Sequence, residues 1–99
     1  SEEMFPGTLY IDADQVCLVR IDRQALEKVT RSDLCSWLGD TPTSLPSRAG
    51  KRAQLLVYPK DGVSFSCQGE QLDFMELFRP CTEREYRNRY YRPPGRFVR

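Results

Sequence analysis

The sequence predicts a small α+β domain: an antiparallel sheet built from two β-hairpins, packed with short helices, plus a C-terminal helix and an extended basic tail. Three observations carry this expectation. Residues 8–21 and 53–67 each read as two strands around a tight connection. Between them lie short helix-period patterns with capping residues. After Pro80 the composition turns to arginine, tyrosine and proline. The division that follows is a leader over 1–7, an α+β body over 8–80, and a basic, aromatic helix and tail over 81–99.

In TLYIDADQVCLVRI, the expected strands are 8–11 and 16–21. Asp12-Ala13-Asp14-Gln15 supplies the connection, because aspartate accepts turn geometry readily. Asp22 is placed to cap a helix through DRQALEKVT, with Ala25, Leu26 and Val29 as its apolar stripe. A second short helix follows, capped by Thr30 or Ser32. It carries Leu34 and Leu38 four apart, and Gly39 ends it in the left-handed conformation. Trp37, the single tryptophan, is expected to anchor the core or an interface. Residues 41–52, with two prolines and a glycine, read as a loop with a basic end.

The alternation of 63–67 puts Val63, Phe65 and Cys67 inward and Ser64 and Ser66 outward. Residues 53–58 pair with that strand through Pro59-Lys60-Asp61-Gly62. EQLDFMELF fits a helix or an edge strand, and Pro80 ends it in either case. In the tail, Thr82-Glu83-Arg84-Glu85 matches a capping box for a helix over 83–92, which Pro93-Pro94 stops. Glu83 can pair with Arg87, and Glu85 with Arg89.

The chain of 99 residues has a net charge of +1, unevenly spread. Through Phe78 there are eight basic and twelve acidic residues; from Arg79 onward there are seven arginines and two glutamates. A mildly acidic body therefore carries a basic tail, a pattern of interaction arms. The same charges would also let the tail pack on its own body. No apolar run approaches the roughly 20 residues that span a bilayer, so no membrane partner is expected. The opening Ser1-Glu2-Glu3 is acidic, unlike a secretory signal.

The absence of histidine removes Ser-His and Cys-His nucleophile systems, so no catalytic residues are expected. Cys17, Cys35, Cys67 and Cys81 include no closely spaced pair, which argues against zinc. Asp12-Ala13-Asp14 offers too few oxygen ligands for a hard cation. Ala49-Gly50-Lys51-Arg52 lacks the first glycine and the final hydroxyl of a phosphate loop. No metal or cofactor is expected. Cys17 and Cys67 lie in apolar strand runs, which favours reduced core thiols and a cytoplasmic setting; a disulfide-bonded extracellular form is the alternative.

The binding expectation rests on arginines interleaved with aromatics. Arg84, Arg87, Arg89, Arg92, Arg96 and Arg99 alternate with Tyr86, Tyr90, Tyr91 and Phe97, and Arg48, Lys51 and Arg52 extend the set. Arginine forks onto phosphates and tyrosine stacks on unpaired bases, so nucleic acid is the expected ligand. The near-neutral chain weighs against it. The alternative is an adaptor or inhibitor whose same Tyr/Arg/Phe surface docks an acidic protein partner, or pairs the extended terminus across a homodimer.

Overall fold

The computed structural model describes residues 7–12 and 15–94. They form a small α+β domain with one antiparallel sheet and two α-helices. The strands are β1 (Gly7–Asp12), β2 (Gln15–Asp22), β3 (Thr43–Pro46), β4 (Gln54–Tyr58), β5 (Val63–Gln68) and β6 (Gln71–Phe78). The helices are α1 (Arg31–Leu38) and α2 (Glu83–Arg89), with 3-10 turns at Arg23–Leu26 and Pro59–Asp61. Strand order is β1-β2-β6-β5-β4-β3.

The sheet is therefore six strands rather than two hairpins. EQLDFMELF is neither a helix nor an edge: β6 is a central strand, paired with β5 and, through Leu18↔Phe78 to Asp22↔Phe74, with β2. Gly69, at φ 63°, makes the tight turn into it. A register shift opposite Ser66 and Cys67 puts an extra residue, Asp73, into β6 and breaks its alternation. Leu72 consequently packs on one face of the sheet while Phe74 and Phe78 pack on the other. The expected loop over 41–52 contains β3, whose Pro46 is tolerated because the strand lies at the edge.

Both faces of the sheet are covered. On one side Leu26, Leu34, Leu56, Tyr58, Phe65, Cys67 and Leu72 cluster under the first 3-10 turn and α1. On the other, Leu18, Leu45, Leu55, Val57, Phe74 and Phe78 cluster around Tyr86 of α2. Ser64 and Ser66, expected to face solvent, are fully buried on the α2 side. Their side chains are small enough to admit Tyr86 and satisfied by hydrogen bonds, so burying them carries little penalty.

The first helical segment is shorter than its pattern suggests. Asp22 makes no capping bond, and the segment is a four-residue 3-10 turn that buries Leu26 alone. Thr30 caps α1 in a reciprocal box with Asp33. Gly39 closes α1 at φ 109°, ψ 169°, outside the left-handed helical region that was expected. Leu34, Cys35 and Leu38 take the sheet-facing side, which leaves Trp37 on the outer flank, 70% exposed rather than in the core. The Tyr58 hydroxyl donates to the Gly39 carbonyl at 2.7 Å, tying the end of α1 to β4.

Candidate basic interaction surface

The tail is positioned by its aromatic side chains. Thr82 caps α2 in a box with Glu85, and the helix ends at Arg89 with Tyr90 as its C-cap, short of the expected residue 92. Tyr86 is 0% exposed. Its ring lies 5.0 Å from that of Phe78, and the single proton of its hydroxyl is shared between Glu76 Oε1 at 3.3 Å and Ser64 Oγ at 3.4 Å. Burial raises its hydroxyl pKa. The Tyr90 ring is also 5.0 Å from Phe78. Tyr91 is half-buried and donates to the Pro46 carbonyl at 2.8 Å.

These placements correct one part of the expected site. Tyr86 is a core residue and cannot stack on a base, and Tyr90 and Tyr91 turn part of their surface into the same cluster. A four-residue spacing puts Tyr86 and Tyr90 on one helix face, and that face meets the sheet.

The arginines remain outside. Arg84, Arg87, Arg89 and Arg92 are exposed, as are Arg48, Lys51 and Arg52. Arg87 pairs with Glu83 at 3.0 Å. Glu83 also accepts from Thr43 Oγ1 at 3.0 Å, and these two donors, Thr43 first, hold its carboxyl below the usual range. Glu85 accepts from the Thr82 backbone and has no ion pair with Arg89 among the described residues. Arg96, Phe97 and Arg99 lie outside the described residues, as does Asp14 of the D-x-D stretch.

The basic loop is held by a directed chain of hydrogen bonds. Ser66 Oγ donates to Asp73 Oδ2 at 3.0 Å, so across the 2.6 Å contact Ser47 must donate to Ser66. Ser47 Oγ in turn accepts from the Ala49 amide at 3.1 Å. Residue 47 is buried and residues 48–52 emerge from it. Because Tyr91 binds the carbonyl of Pro46, the neighbour of Ser47, the tail meets the root of this loop. Arg92 and Arg48 each follow, within two residues along the chain, a partner of this bond. Glu83 and Glu85 keep the N-terminal end of α2 mixed in charge.

A second polar group escaped the sequence reading. Glu76 on β6 stands opposite Arg20 on β2. Its Oε1 accepts from Ser64 Oγ at 2.9 Å and from Tyr86. Burial raises the Glu76 pKa, and Ser64, Arg20, Tyr86 and Arg92 oppose the rise. Arg20 stacks over the Phe74 ring at 4.0 Å. Nothing local in the sequence marks this group, since it is assembled by the β2–β6 pairing.

A raised carboxyl pKa means that the fold favours the protonated form. The contribution of Glu76 to stability is full below the unfolded pKa of about 4.3 and is lost as pH rises through the higher folded value. Glu76→Gln keeps an acceptor for Ser64 and Tyr86 without the buried charge. Its Tm is expected to match the parent in acid and exceed it at neutral pH. Thermal melts across that window check this, and a variant that melts lower than the parent at neutral pH contradicts it.

Among the described residues, no group of three His, Cys, Asp or Glu side chains is placed to hold a metal ion. No helix in the described residues is long and apolar enough to cross a membrane. Cys35, Cys67 and Cys81 are free thiols, and burial pushes the Cys67 thiol pKa up. No protein-family model, no curated protein and no solved structure matches the chain, so its role has to be argued from this geometry.

Proposed function

We propose that this is a small non-enzymatic binding or regulatory protein whose C-terminal arginines and basic loop engage the phosphate backbone of a nucleic acid. The observation that carries this reading is the Tyr91–Pro46 hydrogen bond, which ties the segment after α2, next to Arg92, to the root of the loop that carries Arg48, Lys51 and Arg52. Guanidinium groups on a fixed scaffold suit phosphate oxygens. With Tyr86 in the core, one of the four aromatics is withdrawn from base stacking, and more of the expected affinity falls to arginine–phosphate contacts. The proposal places the protein in the cytoplasm, where the free thiols of Cys35 and the buried Cys67 would stay reduced.

Titration of labelled mixed-sequence duplex and single-stranded oligonucleotides at several salt concentrations tests it. Binding is expected to weaken steeply with salt. Arg48→Ala and Arg92→Ala are each expected to flatten the slope of log K against log salt by about 0.7–0.9, the value of one phosphate contact. Absence of binding by the folded full chain at low salt overturns the reading.

The second reading is a protein adaptor or inhibitor that docks an acidic partner on the same surface. Tyr90 and Tyr91 favour it, since each keeps part of its ring accessible beside exposed arginines. It gains if oligonucleotides fail to bind.

A further inference from the structure

The two ends of the sheet are finished differently. β3 is four residues long and contains Pro46. Its backbone and side chains are drawn against the tail by the Thr43–Glu83 and Tyr91–Pro46 hydrogen bonds. Short length, proline and cover are the devices by which sheets blunt an edge. β1 has none of them among the described residues. It runs for six residues, Gly-Thr-Leu-Tyr-Ile-Asp, with no proline, no lysine and no charge before Asp12. Its one irregularity is the register shift between Tyr10 and Ile11. β2 pairs with one side of it, and among the described residues the other side ends the sheet. Alternate backbone N–H and C=O groups there point away from the sheet, as a template for another strand.

We propose that β1 is a self-association edge: its outer side pairs antiparallel with β1 of a second copy, joining two six-stranded sheets across a two-fold axis. The sequence of the strand selects this occupant. With Leu9 on the axis, Thr8 faces Tyr10 and Gly7 faces Ile11, so five consecutive positions meet without any charge. Thr8, Tyr10 and Ile11 are residue types that favour strands, and such types suit a self-complementary contact. The topology also limits the assembly. Pairing β1 with β1 uses up the free edge of both copies, and the blunted β3 edge offers nowhere to add a third. The contact closes at a dimer instead of growing into a fibre. Inward from the edge, Val19, Ile21 and Leu77 are only partly covered, so apolar surface continues behind the strand.

Sedimentation equilibrium of the full chain over a wide concentration range, joined to hydrogen–deuterium exchange, tests the proposal. The expected result is a monomer–dimer equilibrium in which the β1 amides gain protection as dimer forms. A monomer at every concentration overturns it, as does a dimer whose β1 amides exchange at an unchanged rate. Thr8→Lys brings two like charges close to the axis and is expected to weaken the dimer about tenfold or more, with the cooperative melt retained. Tyr10→Lys is the second variant, in case the first disturbs the β1–β2 pairing. A dimer unweakened in whichever of the two keeps its cooperative melt overturns the assignment to this edge.

Discussion

Tyr86→Ala is expected to destabilise the protein by about 3–5 kcal/mol, the cost of truncating a large aromatic in a core. Tyr86 is the only residue of α2 that is fully covered, and its ring joins Phe78, Tyr90 and Tyr91 in one aromatic cluster. It also caps the polar pair of Ser64 and Glu76 beneath the helix. Stability of a domain this small lies within about 5–15 kcal/mol, so the loss takes away much of the margin. Tyr86→Phe keeps the ring and removes one hydrogen bond, at an expected cost of about 0.5–1.5 kcal/mol. Urea unfolding of both variants separates the packing from the bond. A Tyr86→Ala variant within about 1 kcal/mol of the parent would mean that α2 does not dock through this residue. The same result bears on function: lost oligonucleotide binding in this variant would report a loosened helix, not a lost stacking contact.

Gly62→Ala is the second large effect. Gly62 sits at φ 69°, ψ 34° after the Pro59–Asp61 turn, a left-handed conformation that costs a side-chain-bearing residue about 1–2 kcal/mol. Its carbonyl accepts from the Phe78 amide at 2.9 Å, which pins the start of β5 to the end of β6. A Cβ there would overlap the Phe78 carbonyl oxygen and press on Pro80. The backbone would have to move, so the total expected loss exceeds about 2 kcal/mol. Gly50→Ala is the control, because its Cβ would enter open space and its φ is not positive. That change is expected to stay within about 0.5 kcal/mol of the parent. Chemical denaturation of the pair checks both, and equal stabilities would contradict the reading of Gly62.

The features legible in the sequence are those with local causes. The capping boxes at Thr30 and Thr82 bind groups three residues apart, and strands β4 and β5 carry dense strand-forming residues around a glycine turn. What escaped was decided at a distance. β6 reads ambiguously because the extra residue at Asp73 shifts its alternation and because apolar residues occupy both of its faces. Ser64 and Ser66 look like solvent positions until α2 covers them. Trp37 reads as an anchor of the core or of an interface, and the core is ruled out because a helix as short as α1 buries one narrow stripe, which Leu34 already fills. The candidate site divides along the same line. That Arg84, Arg87, Arg89 and Arg92 stand outside follows from their charge. Which way Tyr86 faces does not, since a shared helix face suits a ligand as well as a core. The link between the tail and the root of the basic loop comes from a bond between Tyr91 and Pro46, 45 residues apart.

The central position of β6 has a consequence for a chain emerging from the ribosome. β3, β4, β5 and β6 are neighbours in both sequence and space, so each can be added to the one before as it appears. β2 is different: its inner partner is residues 74–78, while its own pairing residues are 18–22. The β1–β2 hairpin therefore has no place to dock until residues 74–78 have left the tunnel. The α2 lid that seals the other face follows within a few residues of that strand. β1 and β2 thus stay outside the fold until β6 has been made, and β6 brings them in.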